Sequence, residues 1–82
     1  MIKIDFTTKS ELIPEYKTDK LGNKFTINNM GNIHSHNDLP AVINSKMKIW
    51  FKNGKYHRDN NLPAILWADG RIEYWENGIK IK

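Results

Sequence analysis

The chain has 82 residues, no cysteine and a formal net charge of +4 at pH 7. Its length predicts one small domain of marginal stability, and the lack of cysteine excludes disulfides, thiolate metal sites and a cysteine nucleophile. No apolar run approaches the roughly 20 residues that span a bilayer, and charges interrupt the apolar N-terminal residues, unlike a signal peptide. We therefore expect a cytoplasmic protein without membrane contact.

The excess of positive charge lies in the second half of the chain. Residues 1–41 balance five lysines against five acids, whereas residues 42–82 carry eight basic residues and four acids. No acidic residue interrupts the segment from Lys46 to Arg58. Such asymmetry is typical of a surface for an anionic partner. A solvated face that keeps a small protein soluble would have the same charge, so both interpretations stay open.

An internal repeat organises most of the chain. Residues 31–43 match residues 54–66 at a constant offset of 23 residues, and both segments contain Leu-Pro-Ala. After one extra residue, the pair of aromatic residues and Asn-Gly that follow the first copy recur after the second. The predicted organisation is one domain over 1–82, with a non-repeat segment at 1–21 and imperfect hairpin units at 22–53 and 54–82.

The segments between the turns are β-branched and aromatic and show no helical periodicity. Three dipeptides, Asn53-Gly54, Asp69-Gly70 and Asn77-Gly78, are typical of type I′ turns, in which both central residues have positive φ. The predicted strands include 41–43, 49–51, 65–67 and 72–75. The sequence therefore predicts an all-β fold, an antiparallel meander of short hairpin repeats with about six to eight strands and little or no helix.

The order Asn-Gly-x-x-His-Arg, Leu-Pro-Ala, Asp-Gly and Tyr-Trp-x-Asn-Gly along 53–78 resembles MORN-like repeats, above all their divergent variants in phages, large DNA viruses and bacteria. The resemblance extends over residues 22–82 and implies one hairpin per unit. The first unit departs from it, because Asn44-Ser45-Lys46 replaces the Asp-Gly turn. Some bacterial proteins with related repeats are antitoxins, and small phage proteins often inhibit host defence factors. The resemblance therefore implies an inhibitor or antitoxin-like module.

Three histidines are candidates for metal or acid–base chemistry. His34 and His36 fall on one face of a strand, and His57 is the repeat equivalent of His34. Three converging imidazoles would suit zinc, and His34 with His57 and a basic residue would suit metal-free RNA cleavage. The repeat offers a simpler explanation, in which His34 and His57 each hydrogen-bond a turn. We expect no metal, no other cofactor and no catalytic residue.

Trp50 and its neighbours form the best candidate binding surface. In a continuous strand Trp50 lies on the outer face with Lys48 and Lys52, while Ile49 and Phe51 face the core. An outward Trp50 would stack on a nucleic-acid base; alternatively, it packs against a neighbouring hairpin beneath the lysine stems. The candidate nucleic-acid or partner-binding residues are Lys46, Lys48, Trp50, Lys52, Lys55, Tyr56, Arg58 and Arg71.

Two functions from different classes follow from this surface. The first is a non-enzymatic, phage-type inhibitor or antitoxin-like module that blocks a host toxin or defence nuclease and contacts RNA. The second is a structural or assembly module that binds only protein partners. A toxin or defence enzyme is the expected protein target, RNA is a candidate second partner, and self-association into a homo-oligomer is a further candidate.

Overall fold

The computed structural model describes residues 15–82, and the predicted N-terminal segment upstream of Glu15 lies outside the described residues. Residues 15–82 form ten short strands and no helix, so none of their elements is a helix that could cross a membrane. The strands are β1 Lys17–Thr18, β2 Lys24–Phe25, β3 Val42–Ile43, β4 Met47–Ile49, β5 Phe51–Lys52, β6 Lys55–Tyr56, β7 Ile65–Trp67, β8 Ile72–Glu73, β9 Trp75–Glu76 and β10 Ile79–Lys80. The predicted all-β antiparallel meander is confirmed, with more strands than expected.

Six strands form one antiparallel sheet in the order β1-β2-β3-β4-β7-β8, and the other four form the hairpins β5–β6 and β9–β10. The same arrangement, two sheet strands followed by a small hairpin, occurs twice in full and a third time with a single bridge in place of the hairpin. Strands β3 and β4 precede β5–β6, and β7 and β8 precede β9–β10. Strands β1 and β2 precede a single bridge between Ile27 and Ile33. Strand β1 also brings part of the predicted non-repeat segment into the sheet.

A single residue outside any strand separates the sheet from each small hairpin, and we call this position the bend. Thr26 occupies it after β2, Trp50 after β4 and Tyr74 after β8. The predicted strands 49–51 and 72–75 are therefore each broken in two. Because side chains alternate between faces only within a continuous strand, the bend changes the direction of Trp50. Its side chain is 5% exposed, so the expectation that Trp50 lies outward between two lysines is wrong.

Each bend is tied by its backbone to a neighbouring segment. The Trp50 N–H donates to the Ala64 carbonyl at 2.7 Å, and the Trp50 carbonyl accepts from the His57 N–H at 3.1 Å. The equivalent bond from the Thr26 N–H goes to the Ala41 carbonyl at 2.9 Å. Both alanines of Leu-Pro-Ala are fully buried at these contacts. The core is correspondingly small and consists of Thr26, Ala41, Ile49, Trp50, Ala64 and Ile65.

Four two-residue turns have positive φ at both central residues. Asn53-Gly54 and Asn77-Gly78 do so as predicted, with φ of 50° and 83° in each turn. The polar links before the two Leu-Pro-Ala segments form similar turns at Asn37-Asp38 and Asn60-Asn61. In the first link the Leu39 N–H donates to the His36 carbonyl at 3.0 Å. Asparagine and aspartate suit these positions because their side chains tolerate left-handed backbone.

The type I′ prediction at Asp69-Gly70 is wrong. Only Gly70 has positive φ there, at 101°. Its N–H donates to the Trp67 carbonyl at 3.0 Å, and the Trp67 N–H donates to the Arg71 carbonyl at 2.9 Å. This is a three-residue loop with glycine in the left-handed position, a hairpin type that also uses Asp-Gly.

Candidate functional site

His34 and His57 hold the small hairpins by identical hydrogen bonds. The Nδ1 atom of His34 accepts from the Asn53 N–H at 3.0 Å, and Nδ1 of His57 accepts from the Asn77 N–H at 3.0 Å. Both donors, Asn53 and Asn77, begin the Asn-Gly turns, so the predicted turn-bonding role of the two histidines is confirmed. Because Nδ1 accepts, the ring proton of each neutral imidazole resides on Nε2.

The two rings differ in what surrounds them. The Nε2–H of His57 donates to the Asp59 carboxylate at 2.7 Å, and this hydrogen bond lowers the pKa of Asp59. The His34 ring lies 5.3 Å from that of His36, edge to face. Burial lowers the pKa of His34, and the neighbouring His36 and Lys52 lower it further. The structure therefore favours the neutral form of His34.

Arg58 is held inside the molecule by several partners. Its guanidinium carbon lies 3.8 Å from the centre of the Trp50 ring. Nε and Nη2 donate to the two carboxylate oxygens of Asp38 at 3.1 and 3.2 Å, and Nη1 donates to the Pro63 carbonyl at 3.2 Å. Only 14% of the side chain is exposed. Arg58 thus stabilises the contact between the two polar links, and little of its charge faces solvent.

Trp50 completes this contact. Its Nε1–H donates to the Asp38 carbonyl at 2.9 Å, while its ring face carries the Arg58 guanidinium. The first link therefore holds the indole at its Nε1 edge, and Arg58 covers one ring face. Of the two arrangements expected for Trp50, packing against neighbouring segments is the one observed, and the side chain over its ring face is the Arg58 guanidinium instead of lysine stems.

A cleft of about 180 Å³ opens beside Arg58, between the two polar links and strand β5. Its lining is His34, Ser35, Asp38, Trp50, Phe51, Lys52, His57, Arg58, Asp59 and Asn60. Three predicted site residues, Trp50, Lys52 and Arg58, therefore meet here. The Ser35 hydroxyl oxygen accepts from the Phe51 N–H at 3.1 Å. Lys52 is exposed and close enough to Asp59 to contribute to its lowered pKa.

Tyr56 and Arg71 belong to a second cluster, a row of aromatic rings. The Tyr56 ring packs edge to face on Phe51 at 5.0 Å and on Trp75 at 4.8 Å. Further along, the Arg71 guanidinium carbon lies 4.4 Å from the centre of the Trp67 ring. All four rings are half-buried. Each ring therefore has an edge or a face in contact with another ring or with a cation.

The carboxylate of Glu73 joins the two ends of this row. It accepts from Trp75 Nε1–H at 2.9 Å and from Trp67 Nε1–H at 3.2 Å. The Trp75 bond is the main reason that the pKa of Glu73 is lowered. Neither Glu73 nor Asp38 was a predicted site residue. One pattern in the sequence could have pointed to Asp38, because an Asn-Asp pair before Leu-Pro suits a left-handed turn. No sequence pattern pointed to Glu73.

The remaining predicted residues are exposed and lie apart. Lys46 is in the turn before β4, Lys48 is on β4 itself, and Lys55 is opposite Lys52 in the first small hairpin. Within residues 15–82 none of these lysines makes an ion pair, whereas Arg71 pairs with Asp69 at 2.9 Å. The predicted set is therefore divided between the cleft, the aromatic row and a dispersed group of lysines.

Residues 15–82 bring no three histidine, aspartate or glutamate side chains into a group that could hold a metal ion. His57 donates its Nε2 proton to Asp59, so this nitrogen is not free as a ligand. Comparison with protein-family models, with curated proteins and with solved structures finds no match to this chain.

Proposed function

We propose that the chain is a non-enzymatic binding protein, a small phage-type inhibitor or antitoxin-like module that acts in the host cytoplasm. It blocks a toxin or defence nuclease and contacts RNA through exposed lysines. The MORN-like resemblance of residues 22–82 suggests this class. The facing pair of Lys52 and Lys55 is the observation on which the proposed anionic target rests.

Lys52 and Lys55 stand directly opposite each other in the two-residue hairpin β5–β6. Like charges in directly opposed positions destabilise a strand pair, and within residues 15–82 no acid pairs with either lysine. The equivalent positions of the second hairpin hold Glu76 and Ile79. The like-charge pair is thus specific to one hairpin, and an anionic group between the two ammonium groups would relieve the repulsion.

The place of Lys55 beside the second small hairpin supports a binding role. Its stem packs at Gly78 of the second hairpin, where its Cβ lies 3.7 Å from the place that a Cβ at position 78 would occupy. Lys52 in turn lines the cleft. The pair therefore presents two cations from a held hairpin next to a concave surface, an arrangement that suits successive phosphates or a pair of carboxylates.

The histidines support a non-enzymatic function. A general base needs a nitrogen lone pair facing the substrate. In His34 and His57 the Nδ1 lone pair accepts a hydrogen bond from the N–H of an asparagine in a turn, and Nε2 carries the proton in the neutral ring. The same two residues therefore stabilise the hairpins. RNA contact, in this proposal, rests on lysine–phosphate attraction instead of base stacking on Trp50.

The test is capture of partners from a bacterial host lysate on the immobilised chain, with and without nuclease treatment, together with direct binding of short single-stranded RNA over a salt series. We expect one protein to be retained after nuclease treatment. RNA affinity should fall as salt rises, and the Lys52→Glu/Lys55→Glu variant should reduce the log–log slope by about 1.4, because each lost phosphate contact contributes about 0.7.

The Lys52→Glu/Lys55→Glu variant changes only the sign of the charge at these two positions, because a pair of like charges still faces across the hairpin. Lys17→Glu/Lys80→Glu, with the same change of net charge at other exposed positions, is the control. RNA binding that does not depend on salt would contradict the RNA component. Retention of the protein partner by the Lys52→Glu/Lys55→Glu variant at unchanged affinity would contradict the role of the pair.

An assembly module that binds only protein is the second candidate function. The last strand pair and hairpin expose Ile72, Ile79 and Ile81, which are 50%, 70% and 51% accessible. Strand β8 is also an edge of the six-stranded sheet, and exposed edges pair readily with other chains. Sedimentation that shifts with protein concentration, and that Ile79→Lys abolishes, would favour self-association through this end.

A further inference from the structure

One row of side chains crosses all six strands of the sheet on a single face. The register joins its members in sequence, each directly opposite the next: Thr18, Lys24, Ile43, Lys48, Leu66 and Ile72. We call this set the open row. The adjacent row contains Phe25, Val42, Ile49 and Ile65 and points to the other face. Burial agrees, since Ile49 and Ile65 are core residues whereas Lys24, Lys48 and Ile72 are exposed.

The open row is cationic and contains no acid. Lys24 and Lys48 stand two strands apart, about 10 Å at the usual strand spacing of about 4.8 Å. Within residues 15–82 neither makes an ion pair, while nearby acids are engaged elsewhere. Asp69 binds Arg71 in a turn, Asp19 accepts hydrogen bonds in its own turn, and Glu73 belongs to the adjacent row.

Apolar side chains alternate with these lysines. Ile43 lies between Lys24 and Lys48, and Leu66 follows on the far side of Lys48 with Ile72 beyond it. Ile43 and Leu66 are half-buried, and Ile72 is 50% exposed. The row contains no aromatic ring, so it lacks the stacking platform that single-stranded RNA uses. Cations separated by aliphatic side chains instead complement carboxylates separated by aliphatic side chains.

We propose that the open row binds an acidic amphipathic helix of a protein partner, which lies across the strands. Two residues seven apart on a helix are separated by about 10.5 Å, which matches the interval between Lys24 and Lys48. Two carboxylates at this spacing would face the lysines, and an apolar residue between them would cover Ile43. The row is about 24 Å wide, equal to about 16 helical residues. This inference rests on the proposed binding function and names the chemistry of its protein target.

The test uses a synthetic helix of about 16 residues, with glutamates seven apart and leucines on the same face, titrated into the full chain labelled for NMR. We expect shift changes centred on Lys24, Ile43, Lys48 and Leu66. The Lys24→Glu/Lys48→Glu variant should bind at least about tenfold more weakly, because two attractive pairs become repulsive. A second helix with lysines in place of the glutamates should recover the lost affinity on this variant.

Several outcomes would overturn the open row as a helix site. They are no shift on adding the peptide, shifts confined to the cleft, equal affinity after the leucines are replaced by serine, or tighter binding of a single-stranded oligonucleotide to the same residues. Lys17→Glu/Lys80→Glu is the charge control and should bind the first peptide like the unchanged chain. If a lysate partner is retained by Lys24→Glu/Lys48→Glu at full affinity, the open row is rejected while the binding function stands.

Discussion

Among residues 15–82 the indole of Trp50 is the largest of the buried side chains, and it also joins the two polar links. Asp38 of the first link accepts its Nε1–H, and Arg58 of the second covers its ring face. Both contacts depend on the ring being present, and the Arg58–Asp38 ion pair depends on the geometry that they create. One side chain therefore combines apolar burial, a hydrogen bond and a cation–π contact.

Replacement of Trp50 should accordingly be the most costly single change in the chain. We expect Trp50→Ala to lower the free energy of unfolding by about 3–5 kcal/mol, against a total of about 4–12 kcal/mol for a chain of this length. Trp50→Phe keeps an aromatic face for Arg58 and should cost less. Urea unfolding followed by far-ultraviolet circular dichroism measures both. A Trp50→Ala midpoint equal to that of the unchanged chain would disprove the proposed junction.

His34 gives the fold a dependence on pH. Its pKa is lowered in the folded state by burial, by His36 and by Lys52, so the unfolded chain binds a proton more readily than the folded chain. The stabilisation is complete above the ordinary pKa of 6.5 and is lost as pH falls through the lowered value. Protonation of Nδ1 would also oppose the Asn53 N–H.

We therefore expect the urea midpoint to decrease when the pH is lowered from 7.5 to 5.5. This pH range lies above the titration of the carboxylates. His34→Gln retains an acceptor for the Asn53 N–H but does not titrate, and its midpoint should change less over the same window. A midpoint that rises on acidification, or an equal fall in both proteins, would show that His34 does not cause the effect.

At the scale of elements, the Asn-Gly turns set the geometry of the small hairpins. Gly54 has φ of 83°, and no atom lies nearer than 4.0 Å to the place where a Cβ would stand. Substitution there should consequently strain the backbone without creating a clash. We expect Gly54→Ala to lower the unfolding free energy by about 1–2 kcal/mol. Gly54→Asn should cost less despite its larger side chain, because asparagine tolerates left-handed backbone. Thermal midpoints measure the difference, and a larger loss for asparagine would indicate crowding.

The same elements show how far the sequence could predict the fold. Turn dipeptides and β-branched segments predicted the hairpins because both signals are local. The bends at Thr26, Trp50 and Tyr74 have no local signal. They depend on backbone bonds to residues 7 to 15 positions away, such as the Ala64 carbonyl that accepts from Trp50. Trp50 was predicted to lie outward because side chains alternate between faces along one continuous strand. The segment contains two strands, so this rule does not extend across Trp50.

The candidate site was predictable to a similar extent. Exposure of Lys46, Lys48, Lys52 and Lys55 follows from the cost of burying an unpaired cation. Engagement of Arg58 by Asp38 does not follow, because the two lie 20 residues apart and meet only when both links form left-handed turns. The sequence thus predicted which residues are cationic, and the structure distinguishes the cation held inside from those that face solvent.

Across the part of the molecule that the structure describes, exposed lysines and exposed apolar side chains share some surfaces and not others. The facing lysines lie on the first small hairpin. The open row carries lysines and the exposed Ile72 together, and Ile79 and Ile81 are exposed at the end of the chain. A small domain that buries few large side chains has limited stability of its own. Occupation of either cationic surface by an anionic partner would add stability that grows with the logarithm of partner concentration.

The backbone hydrogen bonds between each bend and a neighbouring segment determine how readily such a chain can gain or lose a whole unit. The Thr26 and Trp50 amides each donate to the carbonyl of the alanine that directly precedes the next pair of sheet strands, and the Tyr74 amide donates to the Lys82 carbonyl instead. These junctions are hydrogen bonds between backbone atoms, so the neighbouring segment needs little more than a small residue at the position of the acceptor. An in-frame gene duplication or deletion of one whole unit would therefore leave each remaining junction able to form. Recombination between the two copies would change the number of units at little cost to the others, and the hairpin with the facing lysines could diverge while its neighbours maintain the fold.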